Sequence, residues 1–310
     1  MRAALAYRNT GSPLHGVHPL VFSAWVLVIV IVALLLQHPV FLLALALVTL
    51  AVAVMARVLA IWWSVVRYTV WMGFAIVLIN VIASNEGSHV LLEAGFRLPV
   101  VGEPTVTLEA LAFGAAMAVR LAVIISAFTL LNICVHPDDL MRAAIKLKLP
   151  YRSVLVTSLS TRFVPVLMED ATTISDVQRS RGLEFDKGGL SRRIRNRGAL
   201  ILPLLSNSLD RAVQVAEAME SRGYGASPRR TFLRDVPVKT VDIIILGLLF
   251  AALALAIWLH VSGISTYAYY PSVSVPILYG AALLWLGVLA AGLLSIVPLA
   301  VLRDSRHIDD

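Results

Sequence analysis

Apolar positions in this chain come in long unbroken runs, not in the alternation of a strand or the one-sided stripe of a surface helix. Residues 19–36, 39–56 and 68–85 carry no charge. A fourth run, 108–135, is interrupted by Arg120. A polar stretch from His136 to Lys239 follows, and then a fifth run, 243–260. Residues 262–302 are uncharged, but Pro271 and Pro276 break their start, which puts a sixth run at 275–297. A helix needs about 20 apolar residues to cross a ~30 Å hydrocarbon core. In lipid such runs must be helical, because every backbone donor and acceptor needs an internal partner. The pattern predicts an all-α integral membrane protein with about six transmembrane helices, at 19–36, 39–60, 66–84, 108–134, 242–261 and 275–300.

Composition supports the bilayer as solvent. Apolar residues make up 59% of the 310, charged residues 15%, and mean hydropathy is +0.84. Soluble domains are nearer ~45–50% apolar and ~25% charged. A disordered chain, a coiled coil and a secreted disulfide scaffold are excluded, and the single cysteine, Cys134, has no internal partner for a disulfide. Residues 1–19 are polar, with Arg2 and Arg8, and show no cleavage pattern, so no removable signal is expected.

The formal net charge of +7 is unevenly placed. Residues 136–239 hold 18 of the 26 Lys and Arg against 11 acids. The loop 86–107 holds Glu86, Glu93 and Glu103 but only Arg97. With six spans, Arg2, Arg8, Arg57, Arg67, Arg303 and Arg306 fall on the side of the basic segment. The positive-inside bias then puts both termini and 136–240 in the cytoplasm, in a prokaryotic inner membrane. The expected organisation is a membrane region at 1–135, a cytoplasmic segment at 136–240, a membrane region at 241–302 and a tail at 303–310. Around Arg57–Arg67 either a loop or an interfacial helix with Trp62 and Trp63 at the headgroups fits.

The segment 136–240 reads as helices. Asp138 or Asp139 is positioned to cap a short one ending near Leu147, before Leu149-Pro150. A longer helix spans 151–181, a basic connector holds Arg192, Arg193, Arg195 and Arg197, and a further helix spans 200–222. The two longer helices end in one tripeptide: Ser180-Arg181-Gly182 and Ser221-Arg222-Gly223. Arg near a helix C-terminus and Gly just beyond it is ordinary capping chemistry. The repetition also suits a partner present twice, with an Arg on each helix tip. The guanidinium fork matches carboxylates and is more weakly hydrated than an ammonium.

These residues carry a family resemblance. The chain resembles the T component, the transmembrane coupling subunit, of energy-coupling factor (ECF) transporters, the family that includes CbiQ-type cobalt permeases. Arg162-Phe163-Val164-Pro165, Glu169 and Ser180-Arg181-Gly182 are similar to its Arg-Phe-x-Pro helix ending in Ala-Arg-Gly. Ala216-Glu217-Ala218-Met219-Glu220-Ser221-Arg222-Gly223-Tyr224 is similar to its second signature, Ala-Met-x-x-Arg-Gly-Tyr. Pro137, Asp139, Leu140 and Leu149-Pro150 fit the approach to these helices, and Ser12-Pro13-Leu14-His15 with Pro19 resembles the entry signature. Ser180 replaces Ala, His18 stands where Asp precedes the proline, and Leu20 replaces Arg.

The resemblance implies a non-catalytic subunit. ATP would be bound by two partner ABC ATPases, identical or distinct, with Arg181 and Arg222 each in a groove of one of them. A small membrane S component would bind the substrate, a vitamin or a transition-metal ion such as cobalt or nickel. ATP-driven motion would pass through the coupling helices to that component. Arg162 and Pro165 belong to the packing of the coupling helices. The 200–222 helix carries an apolar face, Leu205, Leu209, Ala212, Val213, Ala216 and Met219, whose small residues Ala212 and Ala216 would let the two helices cross closely.

Arg120 lies inside a span, where a charge is costly. It serves either a substrate or proton pathway, or a structural hydrogen bond to helix carbonyls, Asn80 or Asn132; no intramembrane acid is identified to complete a relay. His15 and His18 at i, i+3 are weak metal ligands without a carboxylate or Cys, so no metal or other cofactor is expected. The Arg192–Arg197 run lacks aromatic interleaving, which argues for lipid headgroups or solvation and against nucleic acid. No zinc-protease, Walker A or Gly-x-Ser-x-Gly motif is present. A self-sufficient secondary carrier is the alternative, but it calls for repeated halves, and four spans before the polar segment against two after do not supply them.

Overall fold

The computed structural model describes residues 12–83, 88–93, 105–146, 150–183, 190–226, 238–271 and 280–305. Its helices are α1 (Pro19–Leu35), α2 (Pro39–Met55), α3 (Leu59–Ala83), α4 (Leu108–Cys134), α5 (Pro137–Lys146), α6 (Tyr151–Ser180), α7 (Leu190–Ser221), α8 (Thr240–Val261), α9 (Ala281–Leu294) and α10 (Ile296–Ser305). The protein is an all-α membrane protein. The one sheet among the described residues is a short antiparallel ladder, β1 (Val90–Glu93) with β2 (Thr105–Thr107), in a stretch the sequence reads as loop.

Four apolar helical stretches are long enough to span a bilayer: Leu59–Ile82, Leu108–Cys134, Thr240–Val261 and Ala281–Leu302. The first two predicted spans, α1 and α2, are shorter, at 17 residues each. At ~1.5 Å per residue that is about 26 Å, at the lower end of what crosses the core. The last stretch is two helices, because Pro298 has no N–H for the Leu294 carbonyl and the chain breaks at Ser295. The predicted start of that span, 275–279, lies outside the described residues, as does Leu147.

The chain forms two compact units, residues 1–143 with 236–310, and residues 144–235. In the first, α1 is the buried centre and packs on α4 and α8, while α2 packs on α4 and α9. Phe22, Trp25 and Ile29 are fully buried, and Trp25 Nε1 donates to Leu293 O at 2.8 Å, tying α1 to α9. Trp62 Nε1 donates to Ser126 Oγ at 2.6 Å and joins α3 to α4. Trp62 is therefore a core residue, while Trp63 is exposed. The α3–α4 crossing is close. A Cβ on Gly73 would lie 2.9 Å from Ala118 Cβ, and one on Gly114 would lie 2.9 Å from Val77 Cα.

Several helix boundaries differ from the sequence reading. Three helices start at His-Pro, with Pro at the first helical position. Nδ1 of His18 accepts from Leu20 N and Nδ1 of His38 from Val40 N. The same contact, His136 Nδ1 from Asp138 N, starts α5, so His136 and not Asp138 or Asp139 is the cap. Such a cap needs a neutral ring, and burial lowers the His38 pKa below its ordinary value. The α2–α3 break falls at 56–58, earlier than expected, with Arg57 at φ 57. Helix α7 begins at Leu190, so the Arg192–Arg197 run is helical and not a connector.

Candidate functional site

Helices α6 and α7 have 30 and 32 residues, or ~45–48 Å at ~1.5 Å per residue. They pack on each other within the second unit. Asp170 and Arg211 pair across them, Oδ2 to NH2, at 2.8 Å. The side of α7 that is half covered runs through Leu200, Leu204, Ser208, Arg211, Val215 and Met219. Most of the predicted crossing face is elsewhere. Ala212 and Ala216 are exposed, and so are Leu205, Leu209 and Val213; only Met219 is shared. On α6, Arg162 and Pro165 are exposed, and Pro165 leaves the Thr161 carbonyl without its usual amide donor.

The two Ser-Arg-Gly ends have one geometry. The serine Oγ donates to a carbonyl three residues back, Ser180 to Val177 O at 2.7 Å and Ser221 to Ala218 O at 3.0 Å. The glycine N–H reaches Arg179 O at 2.9 Å in α6 and Glu220 O at 2.8 Å in α7. The next amide closes the wider ring, Leu183 N to Gln178 O at 3.0 Å and Tyr224 N to Met219 O at 2.9 Å. This pair of bonds is the Schellman motif. It requires a left-handed residue, and Gly182 and Gly223 have φ +87 and +73. Arg181 and Arg222 thus hold the same place on two helix ends, both exposed, and among the described residues neither has an ion-pair partner. The capping reading and the partner reading are compatible: the cap fixes the backbone that presents the guanidinium.

Adding a Cβ at either glycine meets open space but not an allowed φ. Gly182→Ala and Gly223→Ala are each expected to weaken their helix end by about 1 kcal/mol, or roughly fivefold faster hydrogen exchange of the last-turn amides. Gly198→Ala, inside α7 with open space around it, is expected to slow exchange or leave it unchanged.

Arg120 in α4 donates from NH2 to Leu36 O at 3.0 Å and from NH1 to Met117 Sδ at 3.4 Å. The first contact places a cation at the C-terminus of α1, where the helix dipole is negative. Asn80 and Asn132 instead bond back within their own helices. The sequence reading overlooked two buried acids in helix first turns. Asp242 Oδ2 accepts from Lys239 N at 2.9 Å at the start of α8. Glu109, fully buried at the start of α4, accepts from Ser88 Oγ at 3.2 Å and His89 N at 3.3 Å, with His89 Nδ1 at 2.9 Å. Among the described residues no group of His, Cys, Asp and Glu has a metal-binding arrangement; His15 Nδ1 meets Ser12 Oγ at 2.7 Å.

The chain is a multi-pass helical membrane protein whose α6 and α7 end in matched Arg-Gly caps. Known proteins support that class. The CbiQ cobalt transport protein family matches residues 10–233, and the chain belongs to that family. Among similar curated proteins, the energy-coupling factor transporter transmembrane protein EcfT of Streptococcus thermophilus is 30% identical over 67% of this chain and 79% of its own. That of Listeria innocua is 33% identical over 57% and 67%. That of Limosilactobacillus fermentum is 28% identical over 76% and 89%.

Proposed function

We propose that this chain is the T subunit of an ECF-type ABC importer. The single observation that carries the reading is the pair of identical helix C-caps, each presenting an exposed Arg next to a left-handed Gly. Arg181 and Arg222 each dock in one of two cytoplasmic ATPases, which bind the ATP. A small membrane S component binds the vitamin or transition-metal ion. The exposed apolar stripe on α7, Leu202, Leu205, Leu209 and Val213, supports contact with a partner, since a patch of this kind is rarely left bare. The subunit itself performs no catalysis. It sits in a prokaryotic inner membrane with both termini and residues 136–240 facing the cytoplasm, as the Arg and Lys distribution supports.

The test is affinity purification of the tagged chain from its native host in mild detergent, with co-purifying proteins identified by mass. Two ABC ATPase protomers and a small hydrophobic protein are expected. Recovery of the chain alone, with solute movement in proteoliposomes, would replace this reading by a self-sufficient carrier.

A further inference from the structure

A cavity of about 330 Å³ lies in the first unit, bounded by Gln37 after α1, by Phe113, Met117 and Arg120 of α4, and by the tyrosines that follow α8. Its wall is a connected set of rings. Tyr267 and Tyr269 meet at 4.6 Å between centroids, Phe113 and Tyr269 at 5.5 Å, and Phe113 and Tyr270 at 5.9 Å. Tyr269 OH donates to Gln37 O at 2.8 Å, which fixes that ring. Burial pushes its phenol up to about 12, so it stays protonated. The cavity lies beside the N-terminal half of α4 and the residues after α8.

Among the described residues, Arg120 is the only ionisable residue besides the tyrosines on this wall. A guanidinium has five N–H donors. Leu36 O and Met117 Sδ take two of them, and the Nε–H is buried without an acceptor. Among the described residues no carboxylate pairs with Arg120. A cation held among apolar helices with spare donors is costly unless an anion completes it. The fork geometry selects an oxyanion, phosphate or carboxylate, and the rings offer an apolar surface to whatever carries it.

We propose that this cavity is an oxyanion-binding site, in which Arg120 receives a phosphate or carboxylate group and the aromatic wall takes the ligand's apolar part. The site is independent of the coupling role argued above. Two sources fit the chemistry, the headgroup of an anionic phospholipid and a free small anion.

The test is the thermal unfolding midpoint of the full chain in a neutral detergent, since a ligand that binds the folded state raises it. One arm adds dioctanoyl phosphatidylglycerol, with dioctanoylglycerol as the control that lacks phosphate. The other adds sodium phosphate, with sodium chloride at equal ionic strength. A rise with the phospholipid alone assigns a lipid headgroup, and a rise with inorganic phosphate assigns a free anion. In either case Arg120→Gln should weaken the apparent affinity at least tenfold. Phe113→Trp, which fills the cavity and keeps Arg120, should do the same and decides the matter if the first variant does not fold. No rise in either arm, or a rise that both variants retain, overturns the site.

Discussion

Replacing Arg181 and Arg222 together by glutamate is expected to strip the ATPases from the chain and to abolish uptake, while membrane insertion is unchanged. Both side chains are exposed and at equivalent places on two Schellman caps, so neither contributes to the packing of its own helix. If each is desolvated against carboxylates of a partner, loss of one leaves buried charge unpaired, at a cost of ~2–5 kcal/mol. That is roughly thirtyfold or more in affinity for each site, and reversal of the charge adds repulsion. Arg→Lys at both positions should fall between, because lysine keeps the charge but not the fork. Arg152→Glu makes the same charge change at the other end of α6 and should behave as wild type. The assay is co-purification of the ATPases together with uptake in cells. A double variant that holds its ATPases and transports normally would defeat the docking role.

Much of this arrangement is legible in the sequence, for physical reasons that also mark where legibility stops. The bilayer forces long apolar runs, so α3, α4 and α8 stand out by composition alone. Arg-Gly predicts the ends of α6 and α7 because only glycine enters the left-handed region cheaply. The end of α2 uses the same bonds, Arg57 N to Val54 O at 3.0 Å and Val58 N to Ala53 O at 3.2 Å, but places Arg57 at the left-handed position. With no glycine there, the stop is not visible. The Arg192–Arg197 run looks like a connector, yet arginine is a good helix former and α7 continues through it. Which side of α7 is covered is not legible, because the helix has two apolar sides. Leu200, Leu204, Val215 and Met219 lie on one, and Leu205, Leu209 and Val213 on the other. Periodicity cannot choose between them. Glu109 was hidden in an apolar run, and the groups that hold it, Ser88 and His89, lie about 20 residues away in sequence.

The α3–α4 crossing is the part no pattern announces, and it carries the largest structural prediction: Gly114→Leu is expected to disrupt the membrane bundle. Between helices in lipid there is little hydrophobic driving force, so association rests on close van der Waals packing at small residues. Gly73 sits against Ala118, and Gly114 against the backbone of Val77. Even a methyl group at 114 would lie 2.9 Å from Val77 Cα, an atom that cannot rotate away. A leucine must push the helices apart. Overpacking costs ~1–3 kcal/mol where a core can adjust, and more is expected where the obstacle is backbone. The separation would also lengthen the buried Trp62–Ser126 hydrogen bond that joins the same two helices. Gly247→Leu is the matched control, since it adds the same volume to an exposed position of α8 with nothing within 4 Å of its Cβ. The two variants are compared by thermal unfolding in detergent and by the monodisperse fraction after purification. The 114 variant should melt at least several degrees lower or aggregate, while the 247 variant should match wild type. Equal stability of the two would mean that α3 and α4 do not cross at Gly114, and the bundle would have to be rebuilt around a different contact.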